Sequence, residues 1–193
     1  MRICVYGAAS NIIDPSYISE GEALGREIAK RGHSLVFGGG GHGLMGAVAR
    51  GVSANNGKIL GVIPSFFKEQ DVEVLYLDCE KVIFTNTMRE RKQIMEDNAD
   101  GFVISPGGIG TFEEFFEILT LKQLHRHNKP IAIFNVNGYY NEVISALENA
   151  RDQKFLRDDC LELYKVFTDI DKMLDYLESY NETQKSIKEL KHG

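Results

Sequence analysis

Cysteine is scarce in this chain: Cys4, Cys79 and Cys160 are odd in number, far apart and without a Cys-x-x-Cys pair. That excludes a disulfide-stapled scaffold and a cysteine-based zinc site, and it fits a reducing compartment. A charged-then-apolar leader is also missing, since Arg2-Ile3-Cys4-Val5-Tyr6 reads at once as a strand, and no apolar run approaches the ~20 residues of a membrane span. The expectation is a cytoplasmic protein without membrane association. Positive charge is in deficit too, with 22 Lys and Arg against 28 Asp and Glu and a net charge of -6. Nucleic acid is therefore disfavoured as a partner, because such binding rests on clustered cations at phosphates. What remains is 193 residues, enough for one domain to bury a substantial core without metal or disulfide, and no cofactor is indicated.

What the chain does contain is a regular alternation. Short apolar runs at 3–6, 34–37, 59–63, 82–84, 102–105, 131–134 and 164–167 predict strands, and helical patterns fall at 19–31, 44–54, 86–97, 112–125, 140–153 and 170–180. Alternation of this kind predicts an α/β, Rossmann-like doubly wound parallel sheet of about seven strands with helices on both faces. Ligands bind such sheets beyond the carboxyl ends of the strands. No repeat or linker interrupts 1–180, which reads as a single domain, and 181–193 reads as a polar C-terminal tail without an apolar stripe.

The glycine-rich turns lie where that fold binds ligands. Pro106-Gly107-Gly108-Ile109-Gly110-Thr111-Phe112-Glu113-Glu114 joins a strand to a helix, so its backbone N–H groups and the helix dipole suit a phosphate without needing a lysine. The same turn carries two carboxylates. Thr111-x-x-Glu114 also reads as a capping box, in which Glu114 does no more than close the helix start. A second cluster, Gly38-Gly39-Gly40-Gly41-His42-Gly43-Leu44-Met45-Gly46, contains the dinucleotide-type spacing Gly41-x-Gly43-x-x-Gly46. It follows the second strand instead of the first, and Gly61-Val62-Ile63-Pro64 offers no acid for a ribose, so a dinucleotide oxidoreductase is set aside. A P-loop fails because five residues, not four, separate Gly51 from Gly57-Lys58, and Ile59 stands where Ser or Thr should bind magnesium. His42, inside a glycine turn, is a candidate ligand contact. His125 and His127 read as surface histidines at a helix end, since residues two apart on a helix diverge and no third metal ligand is near.

Met88, Arg91, Lys92 and Met95 recur at helical spacing, which puts two cations on a stripe with two methionines. Either the cations snorkel to solvent, or the helix lines a cleft and presents Arg91 to an anion or a base.

Taken together, Pro-Gly-Gly-x-Gly-Thr-x-x-Glu at 106–114, Met-x-x-Arg-Lys-x-x-Met at 88–95 and Gly-Gly-Gly-x-x-Gly-Leu-Met-Gly, in which Gly38-Gly39-Gly40 supplies the two-residue spacing to Gly43, resemble the Lonely Guy (LOG) family. Its members are cytokinin riboside 5′-monophosphate phosphoribohydrolases, long mislabelled as lysine decarboxylases, and the resemblance runs from residue 4 to about 153. It implies cleavage of the N-glycosidic bond of a nucleoside 5′-monophosphate to free base and ribose 5-phosphate, with Arg91 and Glu114 as the catalytic pair. It further implies substrate contacts from Met88, Lys92, Gly107, Gly108, Gly110, Thr111 and Glu113, and a homodimer. Arg89, where the family often has histidine, and Gly7-Ala8-Ala9-Ser10, where it tends to show Gly-Ser-Ser, depart from the pattern and bear on substrate preference. A general purine monophosphate nucleosidase and a non-catalytic nucleotide or phosphate carrier are the competing readings.

Overall fold

In the computed structural model, which describes residues 1–71 and 73–181, each predicted apolar run becomes a strand of one sheet. The strands are β1 (Arg2–Tyr6), β2 (Ser34–Phe37), β3 (Ile59–Pro64), β4 (Lys81–Thr85), β5 (Gly101–Ile104), β6 (Ile131–Phe134) and β7 (Lys165–Phe167). They pair in the order β4-β3-β2-β1-β5-β6-β7, parallel throughout. The chain moves outward from β1 to β4, then crosses back to place β5 on the other side of β1. That reversal is the topological switch point, and the crevice beyond β1 and β5 is where a doubly wound sheet binds ligands.

Helices α1 (Pro15–Lys30), α2 (Gly43–Ser53), α3 (Ser65–Glu69), α4 (Met88–Asn98), α5 (Ile109–Gln123), α6 (Asn141–Asp152) and α7 (Ile170–Ser179) fill the connections. Because strand side chains alternate between faces, Ile3 and Val5 pack with Leu24 and Ile28 of α1, Leu44 and Val48 of α2 and Leu174 of α7. Cys4 and Tyr6 face the opposite layer, with Met95 of α4 and Phe115 and Ile118 of α5. Burial on both faces explains why the strands read as continuous apolar runs. On the first face α1 and α2 touch backbone to backbone: a Cβ at Gly25 would lie 2.1 Å from the Val48 carbonyl oxygen.

Two helices start three or more residues earlier than expected, and one short helix was not expected at all. α1 begins at Pro15 rather than 19, because the Asp14 side chain caps Ser16 N–H and Pro15 is preset for a first turn. α3, five residues with none buried, carries no periodic stripe to announce it. α5 begins at Ile109, three residues before the predicted start, with consequences described below. The polar tail expected at 181–193 lies outside the described residues except for Asn181. Among the described residues no helix is long and apolar enough to cross a membrane.

Candidate active site

The turn after β5 opens α5 with Gly108 as its N-cap and no side-chain cap bond. The first intrahelical bond runs from Phe112 N–H to the Gly108 carbonyl, so the N–H groups of Ile109, Gly110 and Thr111 precede it. Thr111 is thus a buried residue inside the first turn, not the cap, and the Thr111-x-x-Glu114 capping box does not form. Cβ atoms placed at Gly108 and Gly110 would meet no protein atom within 4 Å, and neither residue has positive φ. Neither packing nor backbone conformation demands glycine there, whereas close approach of a ligand to the backbone would. Gly107 differs, since its Cβ would lie 2.1 Å from the Thr111 hydroxyl oxygen.

Freed from capping, Glu114 turns to α4. That helix has a capping box of its own: Thr87 Oγ1 accepts from Glu90 N–H at 3.1 Å, and Glu90 Oε2 accepts from Asn86 N–H at 2.8 Å. From this fixed start α4 directs Arg91, Lys92 and Met95 inward. Neither cation snorkels. Arg91, 6% exposed, donates from Nε to the Val62 carbonyl at 3.2 Å and from Nη1 to Glu114 Oε1 at 3.4 Å. Its guanidinium also lies 5.8 Å from the ring centroid of Phe67. A Cβ at Gly38 would fall 1.7 Å from Arg91 Nη2, so the first glycine of the second cluster leaves room for the cation.

Glu114 is itself 6% exposed. Burial pushes its carboxyl up to about 7, against the opposing pull of Arg91. Lys92 is paired with Glu113 and, at 2.5 Å, with Glu117, which ties α4 to α5 and turns Glu113 toward α4. Met88 stands at the start of α4 and is 37% exposed.

The second glycine cluster is packed rather than open. Met45 N–H, near the start of α2, donates to the Ala8 carbonyl at 3.0 Å, and a Cβ at Gly43 (φ +59) would strike the Ala8 and Ser10 carbonyls. His42 is exposed at the N-cap of α2 with no side-chain cap bond. Gly39 and Gly41 pair with the segment after α3, through Tyr76 N–H to Gly39 O at 2.8 Å and Gly41 N–H to Val74 O at 2.7 Å. This pairing brings in a residue that sequence reasoning missed. Glu73 reaches within 3.3 Å of where a Gly40 Cβ would stand, and burial raises its pKa while the Arg91 charge lowers it. The only signal available in the sequence was the strand-like alternation around Glu73 ahead of β4.

A family model described as "Possible lysine decarboxylase" matches residues 45–177. The cytokinin riboside 5′-monophosphate phosphoribohydrolase LOG7 of Arabidopsis thaliana is 38% identical over 155 residues, spanning 80% of this chain and 70% of the relative. LOG2 of the same plant, which carries the same enzyme name, is 33% identical over 179 residues, 93% of this chain and 83% of the relative. The chain belongs to the LOG family. Among solved structures, the molybdenum cofactor carrier protein MCP of Chlamydomonas reinhardtii superposes with a TM-score of 0.68 at 20% identity, covering 92% of this chain and 95% of that one. Identity that low speaks for the fold alone. All three motifs that carry the LOG resemblance meet around the crevice: Gly38–Gly40 beside Arg91, the α4 stripe beneath them and the α5 turn opposite. His127 lies away from these residues and is half-buried instead of lying free on the surface. Its Nε2–H donates to Ile118 O at 2.9 Å, its Nδ1 accepts from Lys129 N–H at 3.2 Å, and burial lowers its pKa to about 4. No group of three side chains able to hold a metal occurs among the described residues.

The raised pKa of Glu114 has a measurable consequence. A carboxyl whose folded pKa exceeds its usual 4.5 contributes stability that is fully present below about 4.5 and lost as pH rises to about 7. Glu114→Gln removes that dependence. Over this window the stability of the variant relative to wild type, measured by urea unfolding, should rise by on the order of a few kcal/mol.

Proposed function

We propose that this LOG-family chain is a phosphoribohydrolase that cleaves the N-glycosidic bond of a nucleoside 5′-monophosphate, releasing free base and ribose 5-phosphate. The observation that carries the reading is the buried Arg91–Glu114 pair, held at 3.4 Å beside the open α5 turn. A 5′-phosphate docks on the N–H groups at the start of α5, where Gly108 and Gly110 let it approach the backbone. The ribose then lies over Glu114. Departure of the base leaves an oxocarbenium-like sugar, which the ionised carboxylate stabilises while it orients the attacking water. Arg91, through its planar guanidinium, orients the substrate or stabilises negative charge on the departing base. Lys92 and Glu113 support the site through the α4–α5 ion pairs, and Met88 stands at its rim.

The names of the relatives make a cytokinin riboside monophosphate the first candidate substrate. Glu73, which lies beside Gly40 within the electrostatic reach of Arg91, is the group we assign to base preference. A carrier would need the anion turn but has no use for a carboxylate kept out of water at a pKa of about 7. The cysteine usage that argues against secretion supports a cytoplasmic setting. A homodimer completes the reading: Met88 on α4 and Ile109 and Phe116 on α5 are 37%, 87% and 42% exposed on helices that adjoin through Lys92. Apolar side chains exposed together on neighbouring helices favour a protein partner, here a second copy.

Two outcomes test this. With AMP as substrate, Glu114→Gln should lower turnover by about 10²–10⁴-fold while AMP still binds, and wild-type kcat/KM should fall as pH drops through about 7, since the ionised carboxylate is the active form. A folded, AMP-binding Glu114→Gln protein with near-wild-type base release would remove Glu114 from the chemistry. Light scattering at micromolar concentration should give about twice the 21.7 kDa chain mass, and a clean monomer would contradict the dimer.

A further inference from the structure

The loop between β6 and α6 plays no part in the chemistry above, yet it reaches the anion turn twice. Tyr140 donates its hydroxyl to the Ser105 carbonyl at 2.7 Å, and Tyr139 donates its own to the Gly107 carbonyl at 2.6 Å. Between them, Ala8 N–H donates to the Pro106 carbonyl at 3.0 Å. Three consecutive carbonyls are thus each held by a donor from a different place in the chain or loop. A trans peptide is planar, with its C=O and N–H pointing in opposite directions. Fixing the Pro106 and Gly107 carbonyls therefore fixes the directions of the Gly107 and Gly108 N–H groups, turning each away from the donor, Ala8 N–H or the Tyr139 hydroxyl, that holds its carbonyl.

The loop is built to hold those hydroxyls in place. Asn137 (φ 53) and Gly138 (φ +74) both adopt the left-handed conformation, which reverses the chain directly before the tyrosines. Asn137 Nδ2 donates to Ser16 Oγ at 2.9 Å, anchoring the loop to α1. Asn135 Oδ1 accepts from Tyr140 N–H at 2.7 Å, and Asn135 Nδ2 donates to Asn141 Oδ1 at 2.9 Å. The Tyr139 ring packs edge-on against Tyr17 and Tyr140, with centroids 6.2 and 5.1 Å apart. The two tyrosines differ in burial, Tyr140 being 0% exposed and Tyr139 39%.

We propose that Tyr139 is a positioning residue for phosphate recognition: by pinning the Gly107 carbonyl it aims the Gly108 N–H, which leads into the N–H groups of Ile109, Gly110 and Thr111 at the start of α5, toward the 5′-phosphate. The assignment rests on the phosphate-docking part of the proposed function. It also sets an order between the two tyrosines that burial alone would reverse. Tyr139 controls the peptide that ends in Gly108 N–H, whereas Tyr140 controls the Ser105–Pro106 peptide, which has no N–H to aim. For phosphate binding Tyr139 outranks Tyr140, while for packing the fully buried Tyr140 outranks Tyr139.

The test is calorimetric titration of wild type, Tyr139→Phe and Tyr140→Phe with ribose 5-phosphate and, separately, with adenosine, alongside kcat and KM for AMP. Tyr139→Phe should weaken ribose 5-phosphate by about tenfold or more, the scale of a misaligned hydrogen bond to a charged group, while adenosine binding is unchanged. KM for AMP should rise by more than kcat falls, and Tyr140→Phe should lose less phosphate affinity than Tyr139→Phe. Equal losses for ribose 5-phosphate and adenosine, a larger phosphate defect in Tyr140→Phe, or unaltered ribose 5-phosphate binding in Tyr139→Phe would each overturn the proposal. Binding is read here without turnover, so a wild-type protein that binds ribose 5-phosphate but releases no base would count against the hydrolase and not against this assignment.

Discussion

A guanidinium and a carboxylate kept out of water at the mouth of a parallel sheet need the surrounding structure to hold them there. Burying both charges carries a desolvation cost that their attraction offsets only when the geometry is fixed and the remaining donors are satisfied. Much of the site answers that requirement. The Val62 carbonyl at the end of β3 takes the Arg91 Nε–H, Gly38 gives up a side chain so that the guanidinium fits, and Phe67 covers it. The capping box at Thr87 and Glu90 sets the start of α4, and Lys92 ties α4 to α5 through two glutamates. Removing Arg91 would strand Glu114 as an uncompensated buried carboxylate, whereas Glu114→Gln keeps an acceptor beside the guanidinium and removes a charge that burial penalises.

Two glycine clusters flank this pair, and they do different work despite similar composition. In the Gly38–Gly46 cluster the missing side chains are filled by protein: the Arg91 guanidinium, Ile63, and the Ala8 and Ser10 carbonyls. In the α5 turn, Gly108 and Gly110 face no protein atom that a Cβ would touch. The peptide of Ala8 links the two, accepting from Met45 N–H at the start of α2 and donating to the Pro106 carbonyl. The first cluster shapes the protein around its charges, and the second leaves its backbone open.

The sequence made the fold largely readable because a sheet buried on both faces leaves short apolar runs separated by helical periods. All seven predicted strands exist, displaced by a residue or two at most. The site was legible in part. The stripe Met88, Arg91, Lys92, Met95 put two cations among apolar residues but left open whether they snorkel or face inward, and spacing alone could not reveal the clamp on Lys92 by Glu113 and Glu117. The Thr111-x-x-Glu114 pattern imitates a capping box because a true cap and this turn share the same residue types, and only the earlier start of α5 separates them. His127 looked exposed because it follows a helix end, yet its contact with Ile118 folds it back to a half-buried position. Glu73 was missed for a different reason: alternation around it hints at an extended segment, but its place depends on pairing between 73–76 and the 39–41 glycines, a contact that no local pattern encodes.

The central claim is that water attacks the anomeric carbon of a nucleoside 5′-monophosphate held between the α5 turn and the Arg91–Glu114 pair. It is tested most directly by incubating the protein with AMP and with isopentenyladenosine monophosphate in ¹⁸O-labelled water and analysing the products by mass spectrometry. The account predicts free base together with ribose 5-phosphate labelled on its anomeric oxygen, and no inorganic phosphate. Label in released phosphate with the nucleoside left intact, or no base from either substrate, would contradict it.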